Sequence, residues 1–261
     1  MDGLNHSINT ASELPSPAID ALKGRVIFVT GAGGGLGRVA SIACARHGAT
    51  VILSDKRLSE LEKLYDELLT LGAPLPAIYP IDLEGAREQD YEKLAQVIER
   101  EFGVLHGLLH NAAAFAPLGP VAHISTEDWS KVLHVNLSAA FILTRVLLNL
   151  LQKSSDASIL FTSDSCARKA RAYWGIYGVS KIALEAFAKI LADELESAGQ
   201  VRINTLVPGP VDTPLRNRAF PAEVREHRLD EKKLEKLYIH LMSPASRGLN
   251  GQILQTSNFI L

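Results

Sequence analysis

Short apolar runs typical of β-strands alternate along this chain with longer segments in which apolar residues recur at helical spacing. The strand-like runs cover residues 26–29, 51–53, 77–81, 105–109, 158–161, 201–207 and 252–254. The helical segments cover residues 36–47, 58–71, 87–102, 126–151 and 174–198. This alternation predicts an α/β fold with a doubly wound, seven-stranded parallel sheet and helices on both faces.

The pattern predicts one folded domain preceded by a polar leader. Residues 1–21 are rich in Ser, Asn and Pro and lack the order of a signal peptide, so we expect them to be flexible. Residues 22–261 are predicted to form a single domain with this fold. Within it, residues 208–244 carry prolines and many charges and break the strand–helix rhythm. They are predicted to form a substrate loop or mobile lid, with an ordinary surface helix as the alternative.

Composition narrows the class of partner. The chain is 47% hydrophobic and 21% charged, which is ordinary for a globular protein with a packed core. Its net charge of −2 gives no electrostatic reason to expect nucleic acid or an anionic membrane as partner. No stretch approaches eighteen consecutive apolar residues, so no membrane span is predicted. We therefore expect a cytoplasmic protein that binds a small molecule. We expect no metal site, because the two Cys and eight His lack the spacing of metal ligands.

A glycine-rich loop follows the first predicted strand, with the sequence Thr30-Gly31-Ala32-Gly33-Gly34-Gly35-Leu36-Gly37. Glycines here let the backbone turn sharply and approach a diphosphate, and the helix that follows offers free N–H groups. The spacing is G-x-x-x-G-x-G rather than the strict G-x-G-x-x-G. A tight turn alone is the alternative, but the position between first strand and first helix favours a Rossmann-type dinucleotide loop. The candidate cofactor-binding residues of the loop are Gly31, Gly33, Gly34, Gly35, Leu36 and Gly37.

The second strand ends at Asp55, where a carboxylate can accept hydrogen bonds from both hydroxyls of the adenosine ribose. This favours NAD(H), because the carboxylate repels a 2′-phosphate. Lys56 and Arg57 follow at once and could offset that repulsion, so NADP(H) remains possible. An exposed aspartate at a helix start is the alternative role. Later strand ends add candidate residues to the cofactor wall: Asp82 and Leu83 near the adenine, then Asn111, Ala112 and Ala113.

Tyr177 and Lys181 are four residues apart and therefore on one helix face. Their helix follows the fifth predicted strand, near the edge of the sheet where ligands bind. A phenol titrates near pH 10 in water, and we expect the neighbouring cation to lower its pKa. Tyr177 is thus a candidate acid/base that exchanges a proton with a carbonyl or alcohol oxygen while hydride moves to or from a nicotinamide.

From about Leu22 to Thr256 the sequence resembles the short-chain dehydrogenase/reductase family. The motifs that carry the resemblance are the glycine-rich loop, His110-Asn111-Ala112-Ala113, Asn136, Tyr177 with Lys181, and Pro208-Gly209 with Thr213. Within the family, residues 161–165 and 172–175 look most like the bacterial YciK-type oxidoreductases. The resemblance implies that Lys181 also binds the nicotinamide ribose and that Asn136 holds a water in a proton relay. It further implies that Pro208, Gly209, Val211 and Thr213 line the cofactor, the last two at the carboxamide.

One position departs from the family pattern. The family's catalytic serine lies thirteen residues before the tyrosine, and Asp164 stands there, flanked by Ser163 and Ser165. A serine hydroxyl donates and accepts hydrogen bonds, whereas an ionised carboxylate only accepts. Three possibilities follow. A neighbouring serine such as Ser165, or a protonated Asp164, fills the role; an ionised Asp164 binds an alcohol; or the chemistry is impaired.

The leading functional hypothesis is a dehydrogenase or reductase of small carbonyl or alcohol substrates. A nicotinamide-binding redox sensor, blunted by Asp164, is the alternative, and a nucleotide-dependent methyltransferase would leave the Tyr/Lys pair unexplained. Trp129, Tyr173 and Trp174 are candidates for a substrate pocket, although packing is the commoner role of such side chains. The long apolar helices at 126–151 and 174–198 predict a homodimer or homotetramer.

Overall fold

The computed structural model describes residues 12–260, apart from the side chains of Ser12 and His227. Within that range the strands are β1 (Ser12–Glu13), β2 (Val26–Thr30), β3 (Thr50–Ser54), β4 (Ala77–Ile78), β5 (Gly107–His110), β6 (Ala157–Thr162), β7 (Val201–Val207), β8 (Ile253–Gln255) and β9 (Phe259–Ile260). The α-helices are α1 (Gly35–Arg46), α2 (Leu58–Thr70), α3 (Glu88–Phe102), α4 (Thr126–Leu133), α5 (Ala139–Gln152), α6 (Cys166–Lys169), α7 (Gly175–Glu194), α8 (Pro214–Ala219) and α9 (Glu235–Met242).

Seven of these strands form one parallel sheet in the order β4-β3-β2-β5-β6-β7-β8. The predicted doubly wound, seven-stranded Rossmann-type sheet is therefore confirmed. The order of strands reverses between β2 and β5, and ligands of such sheets bind at the carboxyl ends of the strands beside this switch point. The glycine-rich loop leaves β2 at that place.

Strand residues alternate between two hydrophobic layers because successive side chains point to opposite faces. In β2, Ile27 and Val29 pack in the layer that includes α1, α2 and α9, whereas Val26 and Phe28 pack in the layer with α3, α5 and α7. All of β2, β5 and β6 is buried. Helices therefore cover both faces of the sheet, which explains why its strands read as continuous apolar runs.

The fourth crossover is a single helical run, Thr126–Gln152, in which a π-helical turn (His134–Ser138) joins α4 to α5. By length and composition alone this run, which contains an 18-residue window with a mean hydropathy of 1.5, could cross a membrane. Its leucines Leu143, Leu147 and Leu151 are buried against the sheet. A core helix of a globular domain meets the same criteria, and that packing accounts for much of its apolar character.

Two predicted segments differ from the structure. The predicted flexible leader at 1–21 lies outside the described residues as far as residue 11, but Ser12 and Glu13 pair with β9 and Leu14 is buried. Residues 12–14 are therefore attached to the domain through backbone hydrogen bonds and apolar burial. The predicted lid at 208–244 is divided: α9 packs against α1 with five of its side chains in the core. Only the part before α9 borders the site.

Candidate functional site

A cleft of about 650 Å³ opens at the carboxyl ends of β2, β3, β5, β6 and β7. It brings together most of the residues predicted from strand ends and motifs. Those that line it are Gly31, Gly34, Gly35, Leu36, Asp55, Lys56, Asp82, Leu83, Asn111, Ala112, Ala113, Asp164, Tyr177, Lys181, Pro208, Gly209, Val211 and Thr213. Gly33, Gly37, Asn136 and Ser165 lie outside the lining of the cleft.

The glycine-rich loop packs too closely for side chains at two positions. Gly31 has a φ of +66°, and a Cβ there would lie 2.9 Å from the Cα of Ala112. A Cβ at Gly37 would collide with the carbonyl oxygen of Gly31. Gly37 thus lets α1 approach the strand end, which explains its place in the motif although it does not face the cleft.

The start of α1 suits a diphosphate. Its N-cap, Gly34, has no side chain to bond the first N–H groups, and the first turn carries no acidic residue. Uncapped amides and the positive end of the helix dipole together favour an anion. Thr30 joins the start of the loop to the segment after β5, because its hydroxyl accepts hydrogen bonds from the amides of Asn111 (3.0 Å) and Ala112 (3.1 Å). The backbone here fits a dinucleotide cofactor.

The carboxylate of Asp55 accepts hydrogen bonds from donors within the protein. Arg57 grips the carboxylate with Nε at 3.1 Å from Oδ1 and Nη2 at 3.2 Å from Oδ2, and the Gly33 amide donates to Oδ2 at 3.3 Å. Burial acts to raise the pKa of Asp55, but the Arg57 and Gly33 hydrogen bonds outweigh it and hold that pKa below its ordinary value. The carboxylate is therefore ionised, but the guanidinium of Arg57 balances its charge. It repels a 2′-phosphate less than the sequence alone predicts.

Helix α7 holds Tyr177 and Lys181 one turn apart, both buried. The Lys181 ammonium donates to the carbonyl of Thr162 at 2.8 Å and lies 5.6 Å from the centre of the Tyr177 ring. Burial lowers the pKa of Lys181 to about 8. The pairing on one helix face follows the prediction from spacing.

The pKa of Tyr177 differs from expectation. Burial, followed by the negative charge of Asp164, raises it well above its ordinary value. The expected lowering of the Tyr177 pKa by Lys181 is not found, because desolvation disfavours the phenolate and a carboxylate also faces the phenol. A protonated Tyr177 is consequently the dominant form at neutral pH.

Asp164 occupies the cleft itself, two residues beyond the end of β6. Its Oδ1 accepts hydrogen bonds from the amide of Cys166 at 3.0 Å and from the hydroxyl of Ser165 at 3.3 Å. The hydroxyl of Ser163 donates instead to buried Glu185 at 2.7 Å. Pairing of β6 with β7 runs without a bulge to Thr162, so no register shift brings Ser165 into the place of Asp164.

Asn136 lies behind the cleft wall in the π-helical turn. Its Nδ2 donates to the Ser180 hydroxyl at 2.9 Å and to the Ala114 carbonyl at 3.1 Å, and its Oδ1 accepts from the Ala114 amide at 2.7 Å. These contacts join α7 to the segment after β5. In this arrangement Asn136 fixes the wall beside Tyr177 by direct hydrogen bonds within the protein.

An aromatic cluster surrounds the phenol. Phe115 packs edge-on against Tyr177 with ring centres 5.1 Å apart, and Trp174 contacts both Tyr177 and Phe220. Of the three predicted pocket aromatics, Trp174 is buried in this cluster, whereas Tyr173 and Trp129 are exposed and do not line the cleft. Phe115 was missed because it belongs to no motif and follows β5 in a segment without regular structure.

The segment over the cleft is held by one arginine. Arg228, with a nearly buried side chain, pairs with Asp212 at 2.9 Å and with Glu223 at 3.0 Å. It also donates to the carbonyl of Phe220 and to the side chain of Asn217. Residues 212–228 are thereby folded into a compact cap whose helix α8 places Leu215, Arg216 and Arg218 at the cleft.

Comparison with known proteins agrees with this geometry. Residues 25–224 match the short chain dehydrogenase family. The uncharacterized oxidoreductase YciK of Escherichia coli K12 is 37% identical over 235 residues, covering 90% of this chain and 92% of YciK. A short chain dehydrogenase structure from Pseudomonas syringae is 46% identical with a TM-score of 0.89, covering 92% of this chain and 97% of that one. A short chain dehydrogenase from E. coli CFT073, complexed with NADPH, is 37% identical with a TM-score of 0.88, covering 92% and 99%.

Proposed function

The chain belongs to the short-chain dehydrogenase family of oxidoreductases, which act on alcohol and carbonyl groups, and we propose that it transfers hydride between NADP(H) and a small carbonyl or alcohol substrate. The observation that carries this proposal is the placement of Tyr177 and Lys181 at the cleft where the glycine-rich loop meets the sheet switch point. When bound, the nicotinamide supplies or receives the hydride. The chain's own residues handle the proton and the position of the reactants.

We assign to Tyr177 the transfer of a proton to or from the substrate oxygen. Since its raised pKa keeps the phenol protonated, it is suited to donate that proton as a carbonyl is reduced. Lys181 stands beside it as the cation that supports negative charge on the phenol, and it also lies where a ribose hydroxyl would reach. Asp164 faces the same oxygen, and its charge opposes charge that develops there.

The cofactor would lie along the cleft with its diphosphate at the start of α1 and its adenine beside Asp82 and Leu83. Asn111, Ala112 and Ala113 would form the middle of the wall, and Pro208, Gly209, Val211 and Thr213 would border the nicotinamide. The NAD(H) preference expected from Asp55 is not supported by the comparisons, since the E. coli relative was solved with NADPH. The pairing of Arg57 with Asp55 balances the charge of that carboxylate, and Lys56 beside it is the cation that would attract a 2′-phosphate.

The proposal is tested with the purified protein, NADPH or NADH, and a broad panel of aldehydes and ketones. We expect tighter binding of NADPH than NADH by fluorescence titration, and carbonyl-dependent oxidation of NADPH. Tyr177→Phe keeps the ring but removes the proton, so turnover should fall by about 10²–10⁴-fold while NADPH affinity stays within about two-fold. Tyr173→Phe, at an exposed tyrosine outside the cleft, is the matched control and should keep full activity.

Full activity in Tyr177→Phe would contradict the assignment of the proton. Tighter NADH binding would show that Asp55 still selects the cofactor in spite of Arg57. NADPH binding without turnover of any carbonyl, in the wild type and in Asp164→Ser alike, would favour the redox-sensor alternative.

A further inference from the structure

The charges that line the cleft are unevenly paired. Six basic side chains border it: Lys56, Arg57, Lys131, Lys181, Arg216 and Arg218. Arg57 holds Asp55, Lys131 holds Glu84 at 2.9 Å, and Arg216 holds Glu223 at 2.7 Å. Lys181 donates to a backbone carbonyl inside the site. Most of these cations are therefore committed to partners within the chain.

Arg218 is different. Among the described side chains of residues 12–260, none accepts a hydrogen bond from its guanidinium or places a carboxylate within 4.0 Å of it. Arg216, two residues earlier on the same helix, shows the contrast, because it is bound to Glu223 and its guanidinium carbon lies 3.7 Å from the centre of the Phe220 ring. The cap thus presents one arginine with its full set of donors available to a ligand.

The position of Arg218 ties it to the reacting end of the cleft. Its guanidinium carbon lies 5.8 Å from the centre of the Phe115 ring, and Phe115 in turn lies 5.1 Å from the Tyr177 ring. Lys56, which also lacks a described acid partner, follows β3 beside Asp55, where the adenosine end of a cofactor would lie. Each end of the cleft therefore has one cation without a described acid partner: Lys56 on the adenosine side and Arg218 on the substrate side.

The acid beside Tyr177 restricts where a substrate anion could sit. Asp164 lies next to the phenol, so a carboxylate attached directly to the reacting carbon would meet a like charge. Phe115 contacts both Arg218 and Tyr177, so a carboxylate held by Arg218 would be set apart from the reacting carbon by about the size of one ring. The aromatic surface between the two favours a flat, apolar spacer.

We propose that Arg218 is the specificity-determining residue for the substrate, and that it pairs with a carboxylate separated from the reacting carbonyl by an apolar or aromatic spacer. This inference rests on the proposed function, because it assigns the substrate class of the same site. An arginine fork matches a carboxylate in two parallel hydrogen bonds, which gives both affinity and orientation. A neutral ester of the same shape cannot form that ion pair.

The test compares 4-carboxybenzaldehyde with its methyl ester as substrates of the wild type, Arg218→Gln and Arg225→Gln, with NADPH. Arg225 is an exposed arginine of the same cap outside the cleft lining, so it is the matched control. We expect the wild type and Arg225→Gln to prefer the acid, and Arg218→Gln to lose about 10- to 100-fold in kcat/KM for the acid alone. The ester should be reduced equally by all three proteins, and NADPH affinity should be unchanged.

Equal use of acid and ester by the wild type, or an unchanged preference in Arg218→Gln, would overturn the inference. So would a parallel loss of NADPH affinity, which would assign Arg218 to the cofactor. If neither aldehyde is reduced, calorimetric titration of 4-(hydroxymethyl)benzoate and its methyl ester into the NADP⁺-saturated proteins separates the two proposals. Selective acid binding that depends on Arg218 then supports the inference while the proposed function fails; no selectivity overturns the inference itself.

Discussion

Asp164 sets the balance of charge around the transferred proton. It stands where the family pattern has a serine, and neither Ser163 nor Ser165 replaces it, since the first is bound to Glu185 and the second donates to Asp164. A carboxylate here raises the pKa of Tyr177, after burial, and offers no proton to the substrate oxygen. The site therefore lacks, at this position, the hydrogen-bond donor that a serine hydroxyl would supply.

Replacing Asp164 by Ser should raise carbonyl reduction. The hydroxyl would donate to the substrate oxygen as negative charge develops, and one such donor is worth about 10²–10³-fold in kcat where it has been removed from other enzymes. We expect a gain of about ten-fold or more in kcat for NADPH-dependent reduction, measured in steady state. Asp164→Asn removes the charge without restoring the hydroxyl and should gain less.

A loss of activity in both Asp164→Ser and Asp164→Asn would show that the carboxylate has its own task in the reaction. In that case an alcohol oxidation assay, in which the carboxylate could accept a hydrogen bond from the substrate hydroxyl, should show the larger loss.

Single residues of the site could be predicted from the sequence where they follow strands or occupy a helix face. Gly31, Asp55 and Asn111 each come directly after a predicted strand, and the carboxyl ends of parallel strands meet at one edge. Phe115 and Arg218 could not be found in this way, because they lie in segments whose path depends on tertiary contacts. The pairing of Asp55 with Arg57 also needed coordinates, since sequence proximity does not fix where a long side chain points.

At the level of helices and strands, regular apolar periodicity predicted most elements and their order. The helices that it did not predict lie in charge-rich segments. Strand β4 is shorter than its apolar run, ending at Ile78 where Pro80 soon removes a backbone donor. Helices α8 and α9 were not separated within 208–244, because their prolines and charges mask the apolar positions. Helix α9 packs against α1 and places five buried residues in the core, a tertiary contact that no local sequence pattern predicts.

The cap formed by residues 212–228 depends on Arg228, and its removal should loosen the cap without unfolding the sheet. Arg228→Ala removes the nearly buried cation that pairs with Asp212 and Glu223, together with its hydrogen bonds to Phe220 and Asn217. We expect the substrate KM to rise by about ten-fold or more, while NADPH affinity changes little. Limited trypsin digestion should cut the cap faster, and the melting temperature should fall by only a few degrees.

The matched control for this change is Arg225→Ala, at an exposed arginine three residues earlier. It should leave KM and the digestion rate as in the wild type. A cooperative loss of the whole fold in Arg228→Ala would contradict the view of the cap as a separately stabilised element. So would an unchanged KM with intact resistance to trypsin.

Within the described residues 12–260, helices α5 and α7 leave an apolar surface uncovered. On α7, Val179, Ile182 and Ile190 are 42%, 44% and 57% exposed at helical spacing, and on α5 Phe141 is 46% exposed and packs against Phe187. The two helices therefore present a joint apolar face on the outside of the layer that covers the sheet. A two-fold axis beside α7 would bury that face in a second copy of the chain, which is the simplest closed assembly.

We therefore expect a homodimer, or a tetramer built from it, at micromolar concentration, with α5 and α7 at the interface. The double change Ile182→Glu with Ile190→Glu places like charges in both copies of the face, so light scattering should give the monomer mass while circular dichroism keeps the helical signal. Leu75→Glu, at an apolar residue 69% exposed elsewhere on the surface, should leave the assembly intact. A wild type that is monomeric at these concentrations would contradict the prediction, and an oligomer that survives the double change would place the interface on another face.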